Sequence, residues 1–150
     1  MADLSELYQQ IIIEHNRSPR NFRVLADATG TAEGDNPLCG DRIIVYVKLD
    51  GDSVADIGFQ GKGCAISQAS ASLMTGAVKG KPVAEAERLF QAFHAMVTSD
   101  PTKTPDTSAL GKLAAFAGVR QFPARVKCAN LAWHTLHAIL ARSAESVSTE

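Results

Sequence analysis

A chain of 150 residues, 45% hydrophobic and 21% charged, is long enough for one domain with a buried core and has the balance of an ordinary globular protein. A formal net charge of −1 and the lack of any long Lys/Arg run exclude a nucleic-acid footprint, and no apolar stretch is long enough to cross a bilayer. Three cysteines, an odd number behind an N-terminus that does not read as a signal peptide, favour a reducing compartment, the cytoplasm, over a disulfide framework.

Along the chain, Asp3 can cap a first helix in which Leu4, Leu7, Tyr8, Ile11 and Ile12 form one stripe, and Asn16 with Ser18-Pro19 stops it. "RNFRVL" at 20–25 is basic and loop-like, and Arg17, Arg20 and Arg23 read as a solvated patch. "DRIIVYVKL" at 41–49 and "VADIGFQG" at 54–61 are strand-like and flank the turn residues "DGDS", so they predict a β-hairpin. "ATGTAEG" upstream is the candidate for a further antiparallel strand, because a parallel partner would need a long crossover. After Cys64 the period becomes helical, with Ile66, Ala69, Leu73 and Ala77 on one face. Pro82 opens a helix that turns Ala86, Leu89, Phe90, Phe93 and Val97 inward, and 99–108 is a loop by composition. Ser108 can cap a short helix through Leu110 and Leu113 that ends near Gly118. Pro123 starts the last helix, with Ala129, Ala132, Trp133, Leu136, Ile139 and Leu140 as its buried stripe. The polar 143–150 segment is expected to be a frayed tail. Strands first and helices after predict an α+β fold in a single domain over 1–150.

The hairpin bears on the cysteines. A two-residue turn at Gly51-Asp52 pairs Asp50 with Ser53 and places Cys39 opposite Cys64, where facing residues are about 5 Å apart. Only the turn fixes that register, since the second strand is apolar on both faces. Asp41, two residues from Cys39, points to the same face in extended chain. Cys64 and Cys128 both fall near helix starts, where backbone N–H groups and the helix dipole favour a thiolate. Two or three thiolates with one carboxylate suit a thiophilic metal, zinc first and an iron–sulfur cluster second, and would not suit magnesium. The competing reading treats the three thiols as small buried hydrophobes, and without a CxxC pair the spacing leaves both open. His134 and His137, at i and i+3, lack evident carboxylate neighbours and read as ordinary helix histidines, as do His15 and His94.

"NPLCGD" at 36–41, "GKGCAIS" at 61–67 and "RVKCANLAW" at 125–133, in that order, resemble the U-type iron–sulfur assembly proteins, and "EHNRSPRNF" at 14–22 is similar to that family's helix-ending segment. The resemblance covers roughly residues 4 to 141. It implies a three-stranded antiparallel sheet with about five helices packed on it and a metal site at one end, built from Cys39, Asp41, Cys64 and Cys128. Lys127 stands where scaffold members of the family have a histidine, and the segment between the second and third cysteines, including "AFHAMVTSDPTKTP", is extended. Both features resemble the SufU branch. That branch implies a zinc-dependent sulfur acceptor that takes persulfide sulfur from a cysteine desulfurase of the SufS type and serves downstream iron–sulfur assembly proteins. Cys39 is then the expected acceptor, with Cys128 the second choice, and the desulfurase is expected to supply a replacement ligand. Arg125, Lys127 and Lys62 are expected to offset the site's negative charge and to face the partner. The rival expectations are a scaffold for a transient [2Fe–2S] cluster and a purely structural zinc module.

Overall fold

Three strands follow one another in the computed structural model, which describes residues 2–37 and 40–148, with side chains described from 6 to 142. They are β1 (Gly30–Asn36), β2 (Asp41–Asp50) and β3 (Ser53–Lys62), joined as two antiparallel hairpins in the spatial order β1-β2-β3. Around this sheet lie α1 (Ala2–Arg17), α2 (Ala65–Val78), α3 (Val83–Val97), a 3₁₀ helix (Gly111–Gln121) and α4 (Pro123–Ser148). The architecture is α+β, as the order of strand-like and helical segments predicts.

The sheet has one buried face, and strand parity decides what points into it. On β2, Ile43, Val45 and Val47 are buried and alternate with Arg42, Ile44, Tyr46 and Lys48 on the opposite face. Asp41 has the parity of the buried set, so a carboxylate enters the core side at the strand's first position. α4 lies close over β1. A Cβ at Gly34 would collide with the Thr135 side chain, so glycine there sets how near the last helix comes.

The turn at Gly51-Asp52 pairs Asp50 with Ser53 as expected, but the register does not continue unbroken. Leu49 faces Val54 while Lys48 faces Asp56, a bulge that leaves Ala55 without a partner. From there to the sheet end the pairing is shifted by one, and Arg42 faces Lys62. The unbroken register that would set Cys39 opposite Cys64 is therefore not kept along the described pairs, and Cys39 itself lies outside the described residues. The cause is packing: Val54 and Ile57 are three apart, yet both are fully buried, and only an inserted residue turns both to the same face. Beyond the bulge, the outer edge of β3 receives the 21–22 segment, with the Phe59 N–H donating to the Asn21 carbonyl and Phe22 edge-on to the Phe59 ring at 5.2 Å. "RNFRVL" is thus an edge cover rather than a free loop.

The helices depart from expectation in particular places. α1 starts at Ala2, ahead of the expected cap at Asp3, and Leu7 is exposed, while Ile11 and Ile12 pack on the core. α2 is buried nearly all round, including Ser67, Ser70, Ser72 and Thr75, so a single apolar stripe understates it. Its hydroxyls bond across the core: Ser70 Oγ donates to the Ala129 carbonyl at 2.7 Å. α3 buries Ala86, Phe90, Phe93 and Val97 with Leu89 packed alongside, and Pro82 is its N-cap. The helix expected from Ser108 to Gly118 is a 3₁₀ helix that begins at Gly111, because Ser108 instead donates both N–H and Oγ to Asp106 Oδ1 in a local turn. α4 buries all six residues of its predicted stripe and carries the helix through to Ser148, into the segment whose polar composition suggested fraying. Trp133 is fully buried and stacks on Phe93 at 5.1 Å.

Candidate metal site

Three elements meet at the open end of the β2–β3 hairpin. β2 contributes Asp41 at its first residue, α2 contributes Cys64 as its N-cap, and α4 contributes Cys128. One carboxylate oxygen and the two Sγ atoms all lie within 4.8 Å of one another. That spacing brings all three within the reach of one ion of the size zinc has, whose bonds to sulfur and oxygen are about 2.0–2.3 Å.

Asp41 is 0% exposed. Its Oδ1 accepts the Cys64 N–H at 2.8 Å, and its Oδ2 is 4.0 Å from Cys64 Sγ. No cationic side chain pairs with it among the described residues. A buried carboxylate so placed is costly unless a cation joins it, and two thiol sulfurs on the same small volume make that cation a thiophilic metal. Gly63 keeps the space: a Cβ there would come within 2.6 Å of Asp41 Oδ1.

The two thiols differ. Cys64 is partly exposed and has the extended conformation of an N-cap, with φ −70° and ψ 169°, at the positive end of α2. Cys128 is 1% exposed and sits in the second turn of α4, past the unpaired N–H groups of the first turn. The helix-start argument therefore applies to Cys64 and not to Cys128. Cys128 instead receives a side-chain donor that the spacing of cysteines does not reveal: Asn36 Nδ2 lies 3.6 Å from its sulfur. Asn36 is buried at the end of β1, directly across from Asp41 in the pairing. Its signal in the sequence is its position as the last residue before the Pro37–Gly40 connection.

Cys39 lies in that connection and outside the described residues. Arg125, Lys127 and Lys62 are all exposed. The Arg125 guanidinium sits over the Phe122 ring at 4.9 Å, and none of the three forms an ion pair among the described residues. His134 and His137 lie at the α3–α4 contact, where Glu87 supplies His137 with a carboxylate at 2.9 Å that the spacing along α4 could not show. Among the described residues only Asp41, Cys64 and Cys128 bring three metal-ligating groups together. No helix among them is long and apolar enough to cross a membrane.

Comparison with known proteins gives a consistent result. Residues 7–129 match the model of the NifU-like N terminal domain. The zinc-dependent sulfurtransferase SufU of Bacillus subtilis (strain 168) is 46% identical over 135 residues, 90% of this chain and 90% of that protein. The iron–sulfur cluster assembly scaffold protein IscU of Streptococcus pyogenes serotype M1 is 40% identical over 146 residues, 97% of this chain and 90% of the relative. Among solved structures, a putative iron–sulfur cluster assembly scaffold protein for the SUF system from Fervidobacterium islandicum AW-1 superposes with a TM-score of 0.81 at 34% identity, covering 87% of this chain and 94% of that one.

Proposed function

The chain belongs to the NifU-like N-terminal domain family, and from that membership we propose that it is a zinc-dependent sulfur acceptor in iron–sulfur cluster assembly, supplied by a cysteine desulfurase. The observation that carries the reading is the convergence of Asp41, Cys64 and Cys128 within 4.8 Å around a buried carboxylate with no cationic partner among the described residues. Cys39 completes the ligand set in this proposal, held by the chain two residues from Asp41. A bound zinc ion keeps its thiol ligands deprotonated.

Cys39 is the proposed acceptor. Its thiolate attacks the outer sulfur of the donor's persulfide; a new S–S bond forms at Cys39, the donor's S–S bond breaks, and the electron pair leaves on the donor thiolate. No external oxidant is required. Cys128 is the second choice, and its near-complete burial weighs against a protein-sized donor reaching it. Asp41 holds the Cys64 backbone and Asn36 holds the Cys128 sulfur, so both positions are set before any partner arrives. Three thiolates and a carboxylate exceed the charge of one dication. Arg125, Lys127 and Lys62, exposed around this end of the molecule, are proposed to offset that surplus and to face the desulfurase.

Zinc content measured alongside desulfurase turnover tests the reading. Wild type should carry one zinc and stimulate the enzyme, whereas Cys39→Ala, Cys64→Ala and Cys128→Ala should not. Equal stimulation by all three variants would sink it. The scaffold name of a relative 40% identical supports a second reading, a platform for a transient [2Fe–2S] cluster. Anaerobic reconstitution with iron and sulfide separates the two: a stable visible chromophore that moves to an apo-acceptor favours the scaffold.

A further inference from the structure

A cavity of about 340 Å³ opens between α1, α2 and the 3₁₀ helix. It lies well away from the metal site. Gly76, on its wall, is 12 residues along α2 from Cys64, about 18 Å at the helical rise. Its size is in the range of small-molecule sites, which combine apolar walls with a few convergent polar groups.

Leu73, Leu110 and Leu113 form the apolar walls. The polar groups are His15, Arg20 and Lys112. His15 is 8% exposed, and its Nδ1 is 2.7 Å from Ser72 Oγ, which also accepts the Arg20 N–H at 2.7 Å. The imidazole is thereby fixed, and no hydrogen bond to its Nε2 is present among the described residues. Burial first, then the charge of Arg20, holds His15 toward its neutral form against the opposing pull of Glu14, with a smaller push from Lys112. Arg20 is paired with Glu14 at 2.7 Å. Lys112 has no ion pair among the described residues and leaves the cavity rim with one uncompensated positive charge.

A second observation points the same way. Gly76 stands in the interior of α2, where glycine is the weakest helix former short of proline. Packing does not require it, because a Cβ there would meet nothing within 4 Å. Gly76 lines the cavity, and a Cβ added there would meet open space.

We infer that this cavity is a second binding site, for a small organic monoanion with an apolar body, its tail against Leu73, Leu110 and Leu113 and its charged end at Lys112 and the His15 imidazole. The reading stands apart from the metal chemistry. It is tested on the full zinc-loaded chain by amide NMR titration with hexanoate, with 1-hexanol as the uncharged control. Hexanoate should shift the amides of residues 73–77 and 111–113 saturably. Gly76→Leu should abolish those shifts while zinc content stays unchanged, and Lys112→Gln should weaken binding about fivefold. Raising the salt concentration should weaken it further. The proposal is overturned if hexanoate gives no saturable shift, if hexanol binds as well, or if Gly76→Leu binds as wild type does. Lys112→Gln changes an exposed position, and unweakened hexanoate binding in that variant overturns the proposal even should the leucine variant fold poorly.

Discussion

Two clusters of residue types that can bind metals stand out among the described residues, and the chain assembles them in different ways. Asp41, Cys64 and Cys128 come from a strand start, a helix cap and a helix interior, far apart in sequence, and end within 4.8 Å. His94, His134 and His137 come from two neighbouring helices and gather around Phe90. There the rings of His137 and His134 lie 4.6 and 5.2 Å from the phenyl centroid, and His94 lies 5.5 Å from His134. His137 and His94 stack on Phe90, His134 meets both Phe90 and His94 edge-on, and His137 spends its Nδ1 on Glu87, whereas the thiols and carboxylate bring their ligand atoms to one volume. Closeness of residue types is therefore a weaker indicator than convergence of ligand atoms around a buried carboxylate that no cationic side chain among the described residues pairs with.

The comparison can be broken most directly at the converging site. Cys64→Ala or Asp41→Ala should lower zinc affinity by on the order of 1,000-fold or more, beyond the 10–100-fold typical of outer-shell losses, as read by chelator competition. His134→Gln and His137→Gln should leave that affinity unchanged. The opposite dissociation is expected at the stacked group: Phe90→Ala should cost about 3 kcal/mol in urea unfolding, through lost ring packing, with zinc stoichiometry intact. A zinc deficit in that variant would mean the two regions are coupled.

Smaller effects sharpen the picture. Asn36→Ala should weaken zinc binding about tenfold by removing the donor to Cys128, without the loss of fold that a core truncation brings. The least effect is in pH dependence. Burial, then the neighbouring His94 and His137, lowers the pKa of His134 below its ordinary 6.5. The unfolded chain therefore binds the proton more readily, and the stability tied to this group is complete above about pH 6.5 and lost as pH falls through the depressed folded value. Urea midpoints at pH 7.5 and 5.5 should differ in that direction, with His134→Gln reducing the difference. His15, whose pKa is lowered chiefly by burial, contributes with the same sign.

Much of this was legible in the residues. Three ordered cysteine motifs, the β-branched runs around "DGDS" and the stripe on α4 point to the sheet, the last helix and the Asp41, Cys64 and Cys128 cluster. What escaped them has physical causes. The bulge at Ala55 arises because Val54 and Ile57 must both enter the core, a demand visible only once the sheet has a buried face. Asn36 carries no chemistry on its own and acquires a role only when α4 brings Cys128 over the end of β1. Ser108 has the character of a cap, but Asp106 offered a nearer partner. The wrapping of α2 on nearly every side reflects neighbours from α1, α4 and the sheet that a helical period cannot count.

The unequal burial of the two described thiols sets an order of access. Cys64 stands at the lip of the site and Cys128 at its floor, so in metal-stripped protein a bulky alkylating reagent should label the lip first and meet the floor only through transient opening.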